Sequence, residues 1–203
     1  MSLPSASAPR HAQQASGATQ TNKRELRRVL LQKRLCIDEK TRLEWDAAIG
    51  RHVLQCLLDH SVASLGVYQP MRNEPDLQTL YNALASQGVR LALPLVVDKN
   101  APLEFAAWKP GDTLVKEAFG TMVPAKPEKM PVPEALLAPC VGFNATCFRL
   151  GYGGGFFDRT LAGQPRPFSI GIAYSCLNAE FETGEYDIPL DCIVTENGVL
   201  MAK

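Results

Sequence analysis

Apolar side chains in the first third of the chain recur at helical spacing. Asn22 can cap a first helix that runs from residue 23 to about residue 35. The residues that recur on one face of it are Leu26, Val29, Leu30 and Arg34. Asp38 can cap a second helix that extends to about residue 60. On its apolar face lie Leu43, Ala47, Leu54, Leu57 and Leu58.

Short apolar runs farther along the chain predict strands. Residues 63–68 and 90–97 flank a predicted helix over residues 77–86 that ends at Gly88. Strand, helix and strand within about thirty residues are typical of a parallel sheet. Further strands are predicted at residues 103–108, 135–141, 169–174 and 191–195. The pattern predicts an α/β protein: a single-domain, three-layer αβα open sheet that is mostly parallel.

Two segments lack a regular pattern. Residues 1–21 are rich in Ser, Ala, Gln, Gly and Pro, so we expect a disordered N-terminal tail before one domain at residues 22–203. A transit peptide is the alternative, although such segments usually carry several arginines and this one has only Arg10. Between residues 110 and 133, five prolines and two glycines predict a long Pro/Gly-rich loop with little regular structure.

Composition narrows the range of partners. Lys plus Arg and Asp plus Glu both number 21, so no net charge would recruit a polyanion, and we expect no nucleic-acid partner. No apolar run could span a bilayer and no secretory signal is recognisable, which predicts a cytoplasmic protein without a membrane partner. The six cysteines form no Cys-x-x-Cys pair, which argues against structural zinc and favours reduced thiols.

A glycine run carries the main chemical signal. Residues 149–159 read Arg-Leu-Gly-Tyr-Gly-Gly-Gly-Phe-Phe-Asp-Arg and lead into a helical stretch through Leu161. Glycines let phosphate oxygens approach main-chain amides closely and accept positive φ angles. The run matches neither the P-loop motif nor the dinucleotide fingerprint, whose third glycine is replaced by Phe156. A flexible loop or a packing corner is the alternative to a phosphate site.

This run resembles the signature of the 5-formyltetrahydrofolate cyclo-ligase family. The resemblance extends from residue 23 to residue 198 and includes residues 23–27, 68–74 and 186–196. The chain departs from the family at several positions: Phe156 and Phe157 replace frequent tyrosines and Tyr186 a frequent histidine. Asn144 and Val123 stand where the family often has aspartate and glutamate.

The resemblance implies an ATP- and Mg²⁺-dependent ligase of one-carbon metabolism. The family converts 5-formyltetrahydrofolate to 5,10-methenyltetrahydrofolate, releasing ADP and phosphate, by phosphorylation of the formyl oxygen. We expect these small molecules to be its partners and the protein to be a monomer. A folate- or nucleotide-binding protein without turnover remains an alternative, as does a sugar-phosphate isomerase or acyl transferase.

By the same resemblance, Lys23, Arg27 and Arg149 are expected to be catalytic. The expected ATP contacts are Lys23, Arg24, Glu25, Leu26, Arg27, Arg149, Leu150, Gly151, Tyr152, Gly153, Gly154, Gly155, Phe156, Phe157 and Arg159. The expected folate contacts are Gln69, Glu74, Trp108, Tyr152, Gly153, Gly154, Gly155 and Phe156. Asp158 and Asp187 are expected to hold Mg²⁺.

Each of these residues also has a simpler structural interpretation. Lys23 and Arg27 share one helix face, which could be only a solvated basic surface. Asp158 could satisfy first-turn amides of a helix, and Asp187 could form a turn before Pro189. Glu74 could be an exposed turn residue. Trp108 could belong to the core, and Arg149 and Arg159 could each pair with a nearby acid.

Overall fold

The computed structural model describes residues 11–117 and 120–202, with side chains described from residue 22 onward. The α-helices in these ranges are α1 His11–Leu35, α2 Glu39–Asp59, α3 Gln78–Ser86 and α4 Phe156–Leu161. The strands are β1 Ser64–Gly66, β2 Arg90–Leu95, β3 Glu104–Trp108, β4 Leu114–Lys116, β5 Met122–Pro124, β6 Glu128–Met130, β7 Ala135–Pro139, β8 Gly142–Phe143, β9 Arg149–Leu150, β10 Phe168–Ile172, β11 Cys192–Thr195 and β12 Gly198–Met201.

Eight strands form one sheet in the order β12-β11-β10-β7-β1-β2-β3-β6. The five central strands from β11 to β2 pair in parallel, whereas β12, β3 and β6 join by antiparallel pairing. Strands β4 and β5 form a separate antiparallel pair, as do β8 and β9. The predicted α/β sheet, with a parallel centre, is confirmed.

The two faces of the sheet pack against different helices because successive strand residues point to opposite sides. Leu137 of β7 packs in the core that contains Val53 of α2 and Leu84 of α3. Its neighbour Leu136 packs in the core that contains Leu161 of α4. Helices therefore cover both faces, as a three-layer architecture requires.

The predicted start of the first helix is wrong. Helix α1 begins at His11, so Asn22 lies within the helix and not at its cap. Residues 12–15 are Ala-Gln-Gln-Ala, which are good helix formers, and the nearest proline, Pro9, precedes the helix. Residues 1–10 lie outside the described residues, and the division into tail and domain stays a prediction. The Asp38 cap of α2 is confirmed, since its carboxylate accepts a hydrogen bond from the Thr41 amide at 3.0 Å.

The Pro/Gly-rich stretch between β3 and β7 contains more regular structure than predicted. Three strands, β4, β5 and β6, have three residues each. The prolines are compatible with them because Pro124 ends β5, while Pro127 and Pro131 flank β6 at the sheet edge. Residues 118–119 of this stretch lie outside the described residues.

None of the described helices has the length and apolar character that crossing a membrane would require. The cysteines are free thiols, and those that are buried are Cys56, Cys140, Cys147 and Cys192. Cys140 belongs to the core that contains Leu136 and Leu161. Burial raises the pKa of its thiol to about 12, so the thiol stays protonated at neutral pH.

Candidate functional site

A cleft of about 530 Å³ lies at the carboxyl ends of three parallel strands. Gln69 follows β1, Val96 follows β2 and Pro139 ends β7, and all three line the cleft. Ligands of open α/β sheets typically bind at this edge. Helix α1 contributes Lys23 and Arg27 to the wall, and the loop between β9 and α4 contributes the glycines.

The glycine loop is held in a conformation that needs glycine. Gly153 has φ of +97° and Gly155 has φ of +67°, values that other residues rarely adopt. The Arg159 guanidinium donates to the Gly154 carbonyl at 2.9 Å and to the carbonyls of Lys99 and Ala101, which fixes the loop to the neighbouring segment. Among the described residues, no hydrogen bond uses the amides of Gly153 and Gly154, so both are available to a ligand.

Two ion pairs connect predicted phosphate-binding cations to predicted metal-binding acids. Lys23 Nζ lies 2.6 Å from Asp187 Oδ2, and Arg149 Nη2 lies 2.8 Å from Asp158 Oδ2. Arg27 Nε donates to the Gly151 carbonyl at 2.8 Å. Burial lowers the pKa of the Arg27 guanidinium, and the charge of Asp187 partly offsets that effect. Each cation thus has a charged or polar partner that an incoming phosphate could replace.

The two acids fit a magnesium site completed by substrate. Among the described residues no group of three His, Cys, Asp or Glu side chains could hold a metal ion. Magnesium typically takes one or two carboxylates together with phosphate oxygens and water, which matches Asp158 and Asp187 in one cleft. Burial raises the pKa of Asp187, but the Gly184 amide and Lys23 outweigh it, so that the net shift is downward and the carboxylate stays ionised.

The predicted folate contacts include a buried acid and an amide nitrogen without a partner among the described residues. Glu74 is only 2% exposed, and its Oε1 accepts a hydrogen bond from the Tyr152 hydroxyl at 2.6 Å. The pKa of Glu74 is raised overall, because burial outweighs the lowering effects of the Tyr152 hydrogen bond and of the Arg34 charge. Gln69 Nε2 is buried and has no hydrogen-bond partner among the described residues. An acceptor and a free donor here suit a polar heterocycle.

Arg34 belongs to this site but was not among the residues predicted for it. It is fully buried and donates to the Tyr152 hydroxyl at 2.7 Å, to the Arg72 carbonyl at 2.9 Å and to the Cys140 carbonyl at 3.2 Å. The available signal was its position on the otherwise apolar repeating face of α1. A charged residue that faces inward must have partners, because burying an unpaired charge is costly.

Five predicted site residues do not line the cleft. Trp108 is 4% exposed and packs edge-to-face on Tyr81 with ring centroids 6.1 Å apart, so it belongs to the core. Leu26 packs against the core that contains Leu137, and Arg159 donates a hydrogen bond to the Gly154 carbonyl of the glycine loop. Arg24 and Glu25 are exposed, and Glu25 pairs with Arg28 at 2.6 Å. The others line the cleft together: Lys23, Arg27, Gln69, Glu74, Arg149, Leu150, Gly151, Tyr152, Gly153, Gly154, Gly155, Phe156, Phe157, Asp158 and Asp187.

The sequence of this chain is similar to those of a known protein family. The model of the 5-formyltetrahydrofolate cyclo-ligase family matches residues 19–196. A 5-formyltetrahydrofolate cyclo-ligase of Mycolicibacterium smegmatis is 34% identical over 148 residues, covering 69% of this chain and 75% of that protein. The Escherichia coli K12 protein of the same name is 32% identical over 151 residues, covering 70% and 81%.

Solved structures share the fold. The 5,10-methenyltetrahydrofolate synthetase of Aquifex aeolicus superposes with a TM-score of 0.76 at 27% identity, covering 89% of this chain and 93% of its own. The synthetase of Mycoplasma pneumoniae superposes with a TM-score of 0.72 at 24% identity, covering 86% and 98%. With the glycine loop, the basic pair and the two acids in one cleft, this chain belongs to the 5-formyltetrahydrofolate cyclo-ligase family.

Proposed function

We propose that this protein converts 5-formyltetrahydrofolate and ATP to 5,10-methenyltetrahydrofolate, ADP and phosphate. The observation that supports it most directly is that the residues proposed to bind phosphate and those proposed to bind folate line one cleft. We call the part lined by the glycine loop, Lys23, Arg27 and Arg149 the phosphate end, and the part lined by Gln69 and Glu74 the folate end. Tyr152 of the glycine loop connects the two groups because its hydroxyl donates to Glu74 Oε1.

The reaction needs an activated formyl oxygen because this oxygen is a poor leaving group. It attacks the γ-phosphorus of ATP, the bond to the ADP oxygen breaks, and a phosphorylated imine forms. The neighbouring folate nitrogen then attacks the imine carbon and loses its proton, and phosphate departs with the formyl oxygen. Both steps require positioned reactants and neutralised charge, and neither requires a nucleophile from the protein.

The cations of the cleft supply that neutralisation. Lys23, Arg27 and Arg149 can exchange their present partners for phosphate oxygens, while the amides of Gly153 and Gly154 donate to the same group. The exchange releases the carboxylates of Asp158 and Asp187. We propose that these two acids hold Mg²⁺, which would add positive charge beside the phosphates when bound.

The second end of the cleft orients the folate. The Glu74 carboxylate can accept hydrogen bonds from the donor edge of a pterin, and Gln69 Nε2 can donate to one of its acceptors. Tyr152 is 42% exposed and lines the cleft, so a planar ligand can stack on its ring. We propose that the protein acts as a monomer in the cytoplasm.

Absorbance of the methenyl product tests the proposal. Purified, folded protein is mixed with 5-formyltetrahydrofolate and Mg²⁺, with and without ATP, and product formation is followed over time. We expect product only when ATP is present, with one ADP released for each product molecule. Folate binding without product would favour the non-catalytic alternative. Folded protein that neither binds 5-formyltetrahydrofolate nor makes product would reject the folate assignment.

A further inference from the structure

We propose that Arg34 is a positioning residue for the folate: it holds the Tyr152 hydroxyl and the Glu74 carboxylate in the arrangement that receives the pterin. This inference rests on the proposed function and adds to it a residue outside the lining of the cleft. Arg34 contacts no ligand under this proposal and acts through Glu74 and Tyr152.

The geometry connects three segments through one guanidinium. Arg34 Nη2 donates to the Tyr152 hydroxyl at 2.7 Å, and that hydroxyl donates to Glu74 Oε1 at 2.6 Å. Arg34 Nη2 also lies 3.7 Å from Glu74 Oε1. The three side chains therefore form a closed group that joins α1, the glycine loop and the turn after β1.

Arg34 also fixes the turn that carries Glu74. Its Nε donates to the Arg72 carbonyl at 2.9 Å. Arg72 and Asn73 have φ of 50° and 58°, a left-handed conformation that is uncommon for residues other than glycine. Such a conformation persists where surrounding contacts enforce it, and functional sites often contain it. Removing Arg34 should therefore loosen the turn as well as the carboxylate.

The charge of Arg34 bears on the ionisation of Glu74. Burial raises the pKa of this acid, and the positive charges of Arg34 and Arg72 oppose the rise. Among the described residues, the other titratable groups that interact with Glu74 are Tyr68, Tyr81, Cys140 and Tyr152. Burial raises the pKa of each of them, so all are neutral at pH 7. The net pKa of Glu74 is still raised, and after the Tyr152 hydrogen bond the charge of the buried Arg34 is the main influence that opposes this rise.

The position of Arg34 on α1 separates its effect from that of the phosphate contacts. Arg34 follows Arg27 by seven residues, which places it about 10 Å farther along the same helix face. Lys23 and Arg27 contact Asp187 and the Gly151 carbonyl, whereas Arg34 contacts the folate end. We therefore expect its loss to weaken folate binding and to leave ATP binding nearly unchanged.

Arg34→Met and Arg34→Lys test the proposal, with Lys33→Met as the matched control on the exposed side of the same helix. Calorimetry measures 5-formyltetrahydrofolate binding without ATP, and steady-state kinetics give KM for each substrate. For Arg34→Met we expect folate affinity to fall by about tenfold or more, because a buried charge-assisted hydrogen bond is lost. KM for ATP should change by less than about twofold. Arg34→Lys should recover part of the affinity, and Lys33→Met should behave like wild type.

The pH dependence of folate binding distinguishes positioning from general damage. Without Arg34 the pKa of Glu74 should rise. When the pH is lowered, the variant should therefore begin to lose folate affinity at a higher pH than the wild type does. In a double-mutant cycle, Glu74→Gln should remove most of the effect of Arg34→Met. If Arg34→Met does not fold, Tyr152→Phe takes its place in the test. This variant keeps the ring but removes the hydroxyl that Arg34 contacts, so folate affinity should fall by a smaller factor.

Additive losses in the cycle, an unchanged pH profile, or equal increases in both KM values would overturn the proposal. Its failure is separate from failure of the proposed function. Wild-type protein that binds folate but makes no methenyl product would reject catalysis and leave the role of Arg34 in binding open to the same calorimetric test. Wild-type turnover with additive Arg34 and Glu74 losses would reject only the role of Arg34.

Discussion

Two cations of the cleft are each paired with an acid in the structure. Lys23 pairs with Asp187, and Arg149 pairs with Asp158. Arg149 is nearly buried, with 6% side-chain exposure, so removing Asp158 would leave a buried cation without its partner. Lys23 is more accessible at 14%, which makes it the better position for testing a role in binding phosphate.

Lys23→Met should lower turnover by about 10²-fold, the typical effect of losing one group that stabilises transition-state charge. Its melting temperature should remain close to that of wild type because the ion pair that is lost is partly solvated. Arg28→Met is the matched control, since Arg28 is exposed on the same helix and, within the described part of the chain, forms an ion pair with Glu25 alone. Normal turnover of Lys23→Met would remove Lys23 from the mechanism.

Stability should depend on pH through Asp187. Its pKa is lowered in the folded state, so the unfolded chain binds more protons and stability rises with pH. Asp187→Asn should therefore be less stable than wild type at neutral pH. The difference should shrink from about pH 5 downward and vanish below the lowered pKa. Urea unfolding of both proteins at several pH values measures it, and a difference that stays constant down to pH 3 would contradict the assignment.

The sequence predicted most residues that line the cleft but not Arg34 behind them, and the difference has a physical reason. Motif and resemblance identified the glycines and Glu74, whose chemistry is visible in residue type and order. They could not identify Arg34, because its partners Tyr152 and Glu74 lie 118 and 40 positions away along the chain, a pairing that only the fold creates. Trp108 was a plausible stacking residue by type alone, and packing on Tyr81 decided its place in the core.

At the scale of elements, the glycine loop is a rigid connection between β9 and α4. Arg149 of β9 bonds to Asp158 of α4 at 2.8 Å, and Arg159 of α4 bonds back to the Gly154 carbonyl at 2.9 Å. The loop is thus fixed at both ends before any ligand arrives. Prearranged amides avoid the ordering cost of a flexible loop on binding.

Gly153→Ala tests whether this loop shape binds ATP. Gly153 has φ of +97°, so an alanine costs about 1–3 kcal/mol of strain or shifts the loop. KM for ATP should rise by about tenfold, which corresponds to about 1.4 kcal/mol of lost phosphate contact. Gly111→Ala is the matched control, because its φ is +94° in a turn outside the cleft with open space around it.

Both variants should lose similar stability, and only Gly153→Ala should lose ATP affinity. Thermal melts and steady-state kinetics of the two proteins make the comparison. Equal KM values for ATP would contradict the claim that this loop shape is needed to bind the phosphates.

The elements that the sequence predicted best have strong local signals. Helix α2 combines an Asp38 cap with a repeating apolar face, and the central parallel strands are buried apolar runs. Strands β8 and β9 have two residues each, too short for any period, and exist because Gly142 pairs with Leu150 across a turn. The start of α1 was missed because a helix of Ala and Gln has no apolar face to recognise.

At the scale of the whole molecule, α1 contributes to both proposed ends of the cleft. Lys23 and Arg27 line the proposed phosphate end, and Arg34 contacts Tyr152 at the proposed folate end. Residues at or just after the carboxyl ends of β1, β2 and β7 line the same cleft. Under the proposed function this arrangement would bring the two substrates together on a single sheet, as a reaction between the formyl oxygen and the γ-phosphorus requires.

A crystal structure with Mg²⁺ and a non-hydrolysable ATP analogue tests this arrangement most directly. We expect the triphosphate to accept hydrogen bonds from the amides of Gly153 and Gly154. Lys23 Nζ should have moved from Asp187, now 2.6 Å away, to a phosphate oxygen. A triphosphate bound elsewhere, with the Lys23–Asp187 pair intact and the glycine loop without ligand, would contradict the account.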